Sequence, residues 1–318
     1  TRINGFVSLK YIFEIFFPSK IILIDQIINV PSMFDWKEHL GVVFDLPTAF
    51  LEILLQMDDS RDYYLMRHLI NFLIFFTSVY FFYLLVKNRF NSQLMGIFGS
   101  MLLFASPRIF AESFYNNKDI VFMSLFTINI YTAILFLENP NFKNTIIFSF
   151  LSALAIDTRI LGIILPVLIF FIYIMNTLFD GNYNKRTLKP LILFLILTPL
   201  FIILFWPYLW ESPLENFSKI FKGLSSFDVT IYNFYFGQYI YARNIPWHYS
   251  IVWIFITTPI FYTTLFMIGF IFLVQKFTRR LINIDKVHHY NDLWKNNREL
   301  QDFIFLFTFL IPIITVII

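Results

Sequence analysis

"PLILFLILTPLFIILFWPYLW", residues 190–210, contains no Asp, Glu, Lys or Arg. A helix rises 1.5 Å per residue, so a stretch of this length reaches about 30 Å, the depth of the hydrocarbon core. Backbone in lipid must satisfy its own hydrogen bonds, which leaves a helix or a closed barrel. A barrel strand would alternate polar and apolar residues, and this run does not. The stretch therefore predicts a membrane-crossing helix. Seven more apolar stretches lie at 68–86, 92–107, 120–137, 144–156, 160–184, 244–275 and 303–318. The 144–156 stretch is short for a span, and the first residues of 244–275 are expected at the interface.

Composition agrees. Of 318 residues, 58% are hydrophobic and only 14% charged, against about 25% charged in soluble domains. The mean hydropathy is +0.68. A net charge of +3, with no basic run interleaved with aromatics, gives no sign of a nucleic-acid partner. The absence of cysteine excludes disulfides, thiolate metal sites and a cysteine nucleophile. The chain opens at Thr1 without an initiator Met and closes on an apolar run, so both ends read as cut from a longer protein.

The expected fold is an all-α integral membrane protein, a polytopic bundle of about eight spans forming one transmembrane domain over 1–318. Residues 1–67 make a first loop with amphipathic interfacial helices, "LGVVFDLPTAFLEILLQ" among them. Six spans fill 68–210. An aromatic-rich loop at 211–250 suits the interface, where Tyr and Trp settle. The last two spans and a basic loop, 276–302, occupy 251–318.

Half of the 24 lysines and arginines fall in four short loops, 87–91, 138–143, 180–189 and 276–302. The remaining half is spread over 1–67, 108–119, 157–159 and 211–243. Basic loops face the cytoplasm, so the second set is expected outside or in the periplasm. The expected location is a multi-pass protein of the cytoplasmic or plasma membrane.

Ionisable residues at a membrane edge are costly and point to function by default. "SPRIFAESFYNNKDIVF", 106–122, carries Arg108, Glu112, Lys118 and Asp119 on that outer side. Asp119 suits a helix start. It also suits a cation ligand, magnesium or manganese, or a sugar contact. Arg108, Glu112 and Lys118 read either as solvated loop charges or as a rim for an anionic headgroup. "AIDTRILGIILP" places Asp157 and Arg159 at headgroup level. There an Arg can fork onto a phosphate or snorkel. His248, in "PWHYS", is an interfacial anchor or a ligand. Asn216-Phe217-Ser218 is a glycosylation sequon on the outer side. No P-loop, GxGxxG, HExxH or GxSxG occurs, so neither a nucleotide nor a redox cofactor is expected.

The order of landmarks resembles the family 39 glycosyltransferases of the GT-C superfamily, which include protein O-mannosyltransferases and lipid A aminoarabinose transferases. "RINGFVSLKYI" is similar to the segment after the family's first-loop acids. "VFDLPTAFLEILLQ" followed by "YYLMRHLINFL" resembles the interfacial helix entering the next span. "SPRIFAESFYNNKDIVF", "DTRILGIILP", "WPYLWESPLENF" and "IPWHYSIVWIFITTP" resemble the later outward loops. The resemblance implies a bundle of GT-C type. It implies transfer of a sugar from a polyprenyl-phosphate donor to a hydroxyl of a protein, lipid or glycan on the extracytoplasmic face.

Under that resemblance, Asp119 matches the second-loop acid and takes the catalytic role. Arg159, with Arg108 and Lys118, contacts the donor phosphate. Glu112, Asp157, His248 and Arg2 contact substrate. The family's first-loop acid pair is expected a residue or two before Thr1. Partners are the donor, membrane lipids and a hydroxyl acceptor. A polytopic transporter or lipid flippase is the alternative, although internal repeats and midplane charges of the kind transporters use are not visible. A non-catalytic scaffold would not require the 106–122 charges to meet Arg159.

Overall fold

The computed structural model describes residues 2–36, 41–179, 188–225, 231–282, 294 and 296–317. They form two compact units, residues 1–173 with 184–221, and residues 174–183 with 222–318. Part of the basic loop 276–302 and most of the run 184–189 lie outside the described residues.

The first unit begins with α1 (Arg2–Phe16), the short α2 (Asp25–Ile28) and α3 (Asp45–Leu54). There follow α4 (Ser60–Phe90), α5 (Gln93–Phe104), α6 (Pro107–Glu112), α7 (Asp119–Glu138), α8 (Phe142–Thr158), the start of α9 (Ile164–Phe179) and α10 (Leu188–Phe205). α4 packs against α5 and α7, α7 against α8, α8 against α10, and α1 against α3. Stacked Phe136, Phe148 and Phe194 join α7, α8 and α10. Val7 and Tyr11 of α1 pack with Trp206, Tyr208 and Leu209, which follow α10.

Helix ends follow from local chemistry. The Asp59 carboxylate accepts the Arg61 amide at 2.9 Å and starts α4. Asn91, left-handed at φ 51°, ends it. Asn141 accepts the Asn144 amide at 2.9 Å and starts α8.

Five helical segments among the described residues are long and apolar enough to span: Ser60–Phe90, Asp119–Glu138, Ile160–Thr177, Leu188–Phe205 and Ile260–Arg280. This refines the expected eight. The 92–107 stretch forms the 12-residue α5, because Pro107 starts a new helix and the residue before a proline avoids helical geometry. α8 has 17 residues. Of the 303–318 stretch, residues 303–317 join a helix whose first two turns carry Arg298, Glu299 and Asp302.

α11 (Pro213–Ser225) closes the first unit, which reaches Phe221. The second unit contains an antiparallel hairpin, β1 (Tyr232–Tyr235) and β2 (Gln238–Tyr241), then α12 (Tyr249–Thr257), α13 (Ile260–Ile282) and α14 (Asn297–Ile317). The hairpin turns on Phe236 and Gly237, at φ 46° and 82°. Two left-handed residues match the strand twist. The expected aromatic loop therefore holds a helix and a hairpin. The 244–275 stretch breaks at Pro259, whose predecessor Thr258 is extended. Ion pairs of Lys276 with Asp302 at 3.0 Å and Arg280 with Glu299 at 2.8 Å tie α13 to α14.

Candidate active site

The first unit gathers charge at the ends of its helices. Asp119 opens α7, and its amide donates to Asn116 Oδ1 at 2.9 Å. Arg159 follows the last residue of α8, in extended backbone at φ −147°, ψ 127°. Forty positions apart, the two side chains meet: Arg159 Nη2 donates to Asp119 Oδ1. Both stay open to solvent, at 60% exposure for Asp119 and 43% for Arg159. Asn116 Nδ2 donates to Asp119 Oδ2 at 3.1 Å and to Glu112 Oε2 at 3.0 Å. Arg108 Nε reaches Glu112 Oε1 at 3.0 Å, one helical turn away. Asp119, Glu112, Arg108 and Arg159 thus make one connected rim. Lys118, half-buried beside Asp119, acts electrostatically on Asp45.

Beneath the rim lies a second cluster that sequence reading does not single out. Arg67, in the second turn of α4, donates from Nε to Glu52 Oε1 at 2.5 Å and from Nη1 to Asp45 Oδ1 at 3.0 Å. All three side chains are buried, Glu52 completely. Arg2 Nε donates to the other Glu52 oxygen at 2.8 Å, and its guanidinium lies 3.8 Å from the Tyr63 ring centre. Burial raises the Asp45 carboxyl above its ordinary pKa, and Arg67 pulls it back. One turn further along α4, Asn71 Nδ2 donates to the Ser113 carbonyl at 2.8 Å. The signal was available: Arg67 and Asn71 are four apart and Asp45 and Glu52 seven apart, so each pair shares one helix face.

The remaining expected residues fall elsewhere. Asp157 is buried, accepting the Val42 amide at 3.2 Å on Oδ1. It is buried rather than on the rim, because the helix still holds at Asp157 and turns its side chain inward, two residues before the backbone becomes extended. Arg2 contacts Glu52. His248 belongs to the second unit, with its ring 5.9 Å from that of Tyr235. Asn216 is buried, and its amide donates to the Tyr208 carbonyl at 2.8 Å, so the sequon nitrogen is engaged.

Among the described residues, no group of three His, Asp or Glu side chains is placed to hold a metal ion. Asp119 uses its oxygens on Arg159 and Asn116.

The family model described as dolichyl-phosphate-mannose-protein mannosyltransferase matches residues 59–210. The match covers 152 of the 318 residues, just under half of the chain. No curated protein and no solved structure matches the chain. The mannosyltransferase segment contains the whole rim, Arg108, Glu112, Lys118, Asp119 and Arg159, together with Asp157 and Arg67. Arg2, Asp45, Glu52 and His248 lie outside it. Five apolar helices among the described residues, together with the match of 59–210 to a membrane mannosyltransferase family, indicate a multi-pass membrane protein.

Proposed function

We propose that the protein transfers a sugar from a polyprenyl-phosphate donor to a hydroxyl acceptor on the extracytoplasmic face, at the Asp119–Arg159 rim. The observation that carries the reading is the meeting of these two side chains. An acid and a guanidinium, both solvent-accessible, sit together within the mannosyltransferase segment. The extracytoplasmic placement rests on the lysine and arginine asymmetry of the loops.

The chemistry follows from the two groups. The donor sugar is already activated by its phosphate, so no nucleotide is needed. Asp119 accepts the proton of the acceptor hydroxyl as its oxygen attacks the anomeric carbon. The bond from that carbon to the phosphate oxygen breaks, and the electron pair leaves with the phosphate. Arg159 faces the charge that develops there, with Arg108 and Lys118 adding positive field. A single displacement inverts the anomeric centre. Because Arg159 holds Asp119 in the free protein, a phosphate that draws the guanidinium away also frees the carboxylate to act as base.

The test is transfer of radiolabelled sugar from polyprenyl-phosphate donors in membranes. Asp119→Asn removes the base and is expected to lower transfer by about 10²–10⁴-fold. Arg159→Ala is expected to fall into the same range. Transfer unchanged in both variants would overturn the reading.

A further inference from the structure

A short segment outside the mannosyltransferase match touches both arms of the rim. Gly41, Val42, Phe44 and Asp45 precede or open α3, and Val42, Phe44 and Asp45 are buried. On one side, the Val42 amide donates to Asp157 Oδ1 at 3.2 Å. Asp157 lies two residues before Arg159. A Cβ on Gly41 would stand 1.5 Å from the Asp157 carbonyl oxygen, so only glycine permits this approach. On the other side, Asp45 Oδ1 accepts from Asn117 Nδ2 at 3.3 Å. Asn117 lies two residues before Asp119. In the middle, Phe44 packs with Val121 and Leu125 of α7 and with Ala155 of α8. Asp45 is itself held from behind by Arg67.

We propose that Gly41–Asp45 is a positioning brace that sets Asp119 and Arg159 at working distance. The helices α7 and α8 already pack along their lengths. Their ends, however, carry an exposed ion pair, and an exposed pair contributes too little to fix its own geometry. The brace supplies what the pair lacks. It grips each helix end two residues from the reacting side chain, through a buried bond at Asp157 and a part-buried one at Asn117, where water competes less than at the exposed pair. Asp45 and Val42 act through Asn117 and Asp157, and neither needs to touch substrate. The importance of the brace for catalysis rests on the transfer reading above; its geometry does not.

The chain has no cysteine, which allows a test without donor or acceptor. Asp119→Cys and Arg159→Cys introduce the only two thiols, and their cross-linking by a short bis-maleimide is followed on gels in detergent. Into this background go Asp45→Ala, Asn117→Ala and Asp45→Asn. Asp45→Ala and Asn117→Ala each break the contact from one end, and both are expected to slow cross-linking by at least about tenfold, since small misplacements carry large rate effects. Asp45→Asn keeps an oxygen for Asn117 and is expected to restore the parent rate. Asn117→Ala leaves the buried Asp45–Arg67 pair intact, so it reports on the brace even where Asp45→Ala fails to fold. Parent-rate cross-linking in Asn117→Ala would overturn the brace, as would Asp45→Asn behaving like Asp45→Ala. Slowed cross-linking together with unimpaired sugar transfer by Asp119→Asn would keep the brace and overturn only the transfer reading.

Discussion

Arg67 holds Asp45 and Glu52 where water does not reach, whereas Arg159 holds Asp119 in the open. The residue types are the same, and burial separates their roles. Inside, the charges are costly to expose singly, so the cluster locks α3 to α4 and carries little freedom. At the rim, the pair is weak and exchangeable, which an incoming phosphate or hydroxyl requires. In the proposed function, the reacting pair is the one that contributes least to stability.

The largest test of this contrast is Arg67→Met. It removes the guanidinium shared by two buried carboxylates, leaving Asp45 without its ion pair and Glu52 with Arg2 alone, and is expected to destabilise the protein by about 3–5 kcal/mol. Thermal unfolding in detergent measures it; a melting temperature near wild type would break the comparison. Asn71→Ala removes the buried bond to the Ser113 carbonyl and is expected to cost about 1–3 kcal/mol, read in the same melts.

Asp157 gives a smaller effect with a sign. It lies in the last turn of α8, beyond the apolar stretch, and burial pushes its carboxyl well above the ordinary value. Such a group binds its proton more tightly folded than unfolded. Wild type therefore loses stability as pH rises from the unfolded value, about 3.9, through the raised folded value. Asp157→Asn keeps an oxygen for the Val42 amide and does not titrate. The variant is expected to gain on wild type as pH rises across that window. Melts at several pH values check this, and a variant that loses ground to wild type as pH rises would contradict it. The smallest expected change in stability belongs to Asp119→Asn, under about 1 kcal/mol.

The spans were legible because lipid leaves no alternative for a run such as 190–210. The rim was legible too: Asp119, Arg159, Arg108 and Glu112 announce themselves as charges at the edges of apolar stretches. The buried cluster was hidden by its setting. Asp45, Glu52 and Arg67 sit in a segment with many charges, so none stands out, and their meeting depends on how α3 docks against α4. Asp157 misled for the opposite reason. Next to Arg159 in a short turn, it looks like a rim residue, but helical geometry persists through Thr158 and sends it inward. The hairpin at 232–241 rests on two left-handed residues, one of them Phe236, a position whose side chain gives no such signal.

The most direct test sets Arg67→Met beside Asp119→Asn, with unfolding and sugar transfer measured on the same preparations. Asp119→Asn is expected to melt within a few degrees of wild type and to transfer about 10²–10⁴-fold more slowly. Arg67→Met is expected to melt far lower. An Asp119→Asn protein that transfers sugar at the wild-type rate would contradict the division between the two clusters.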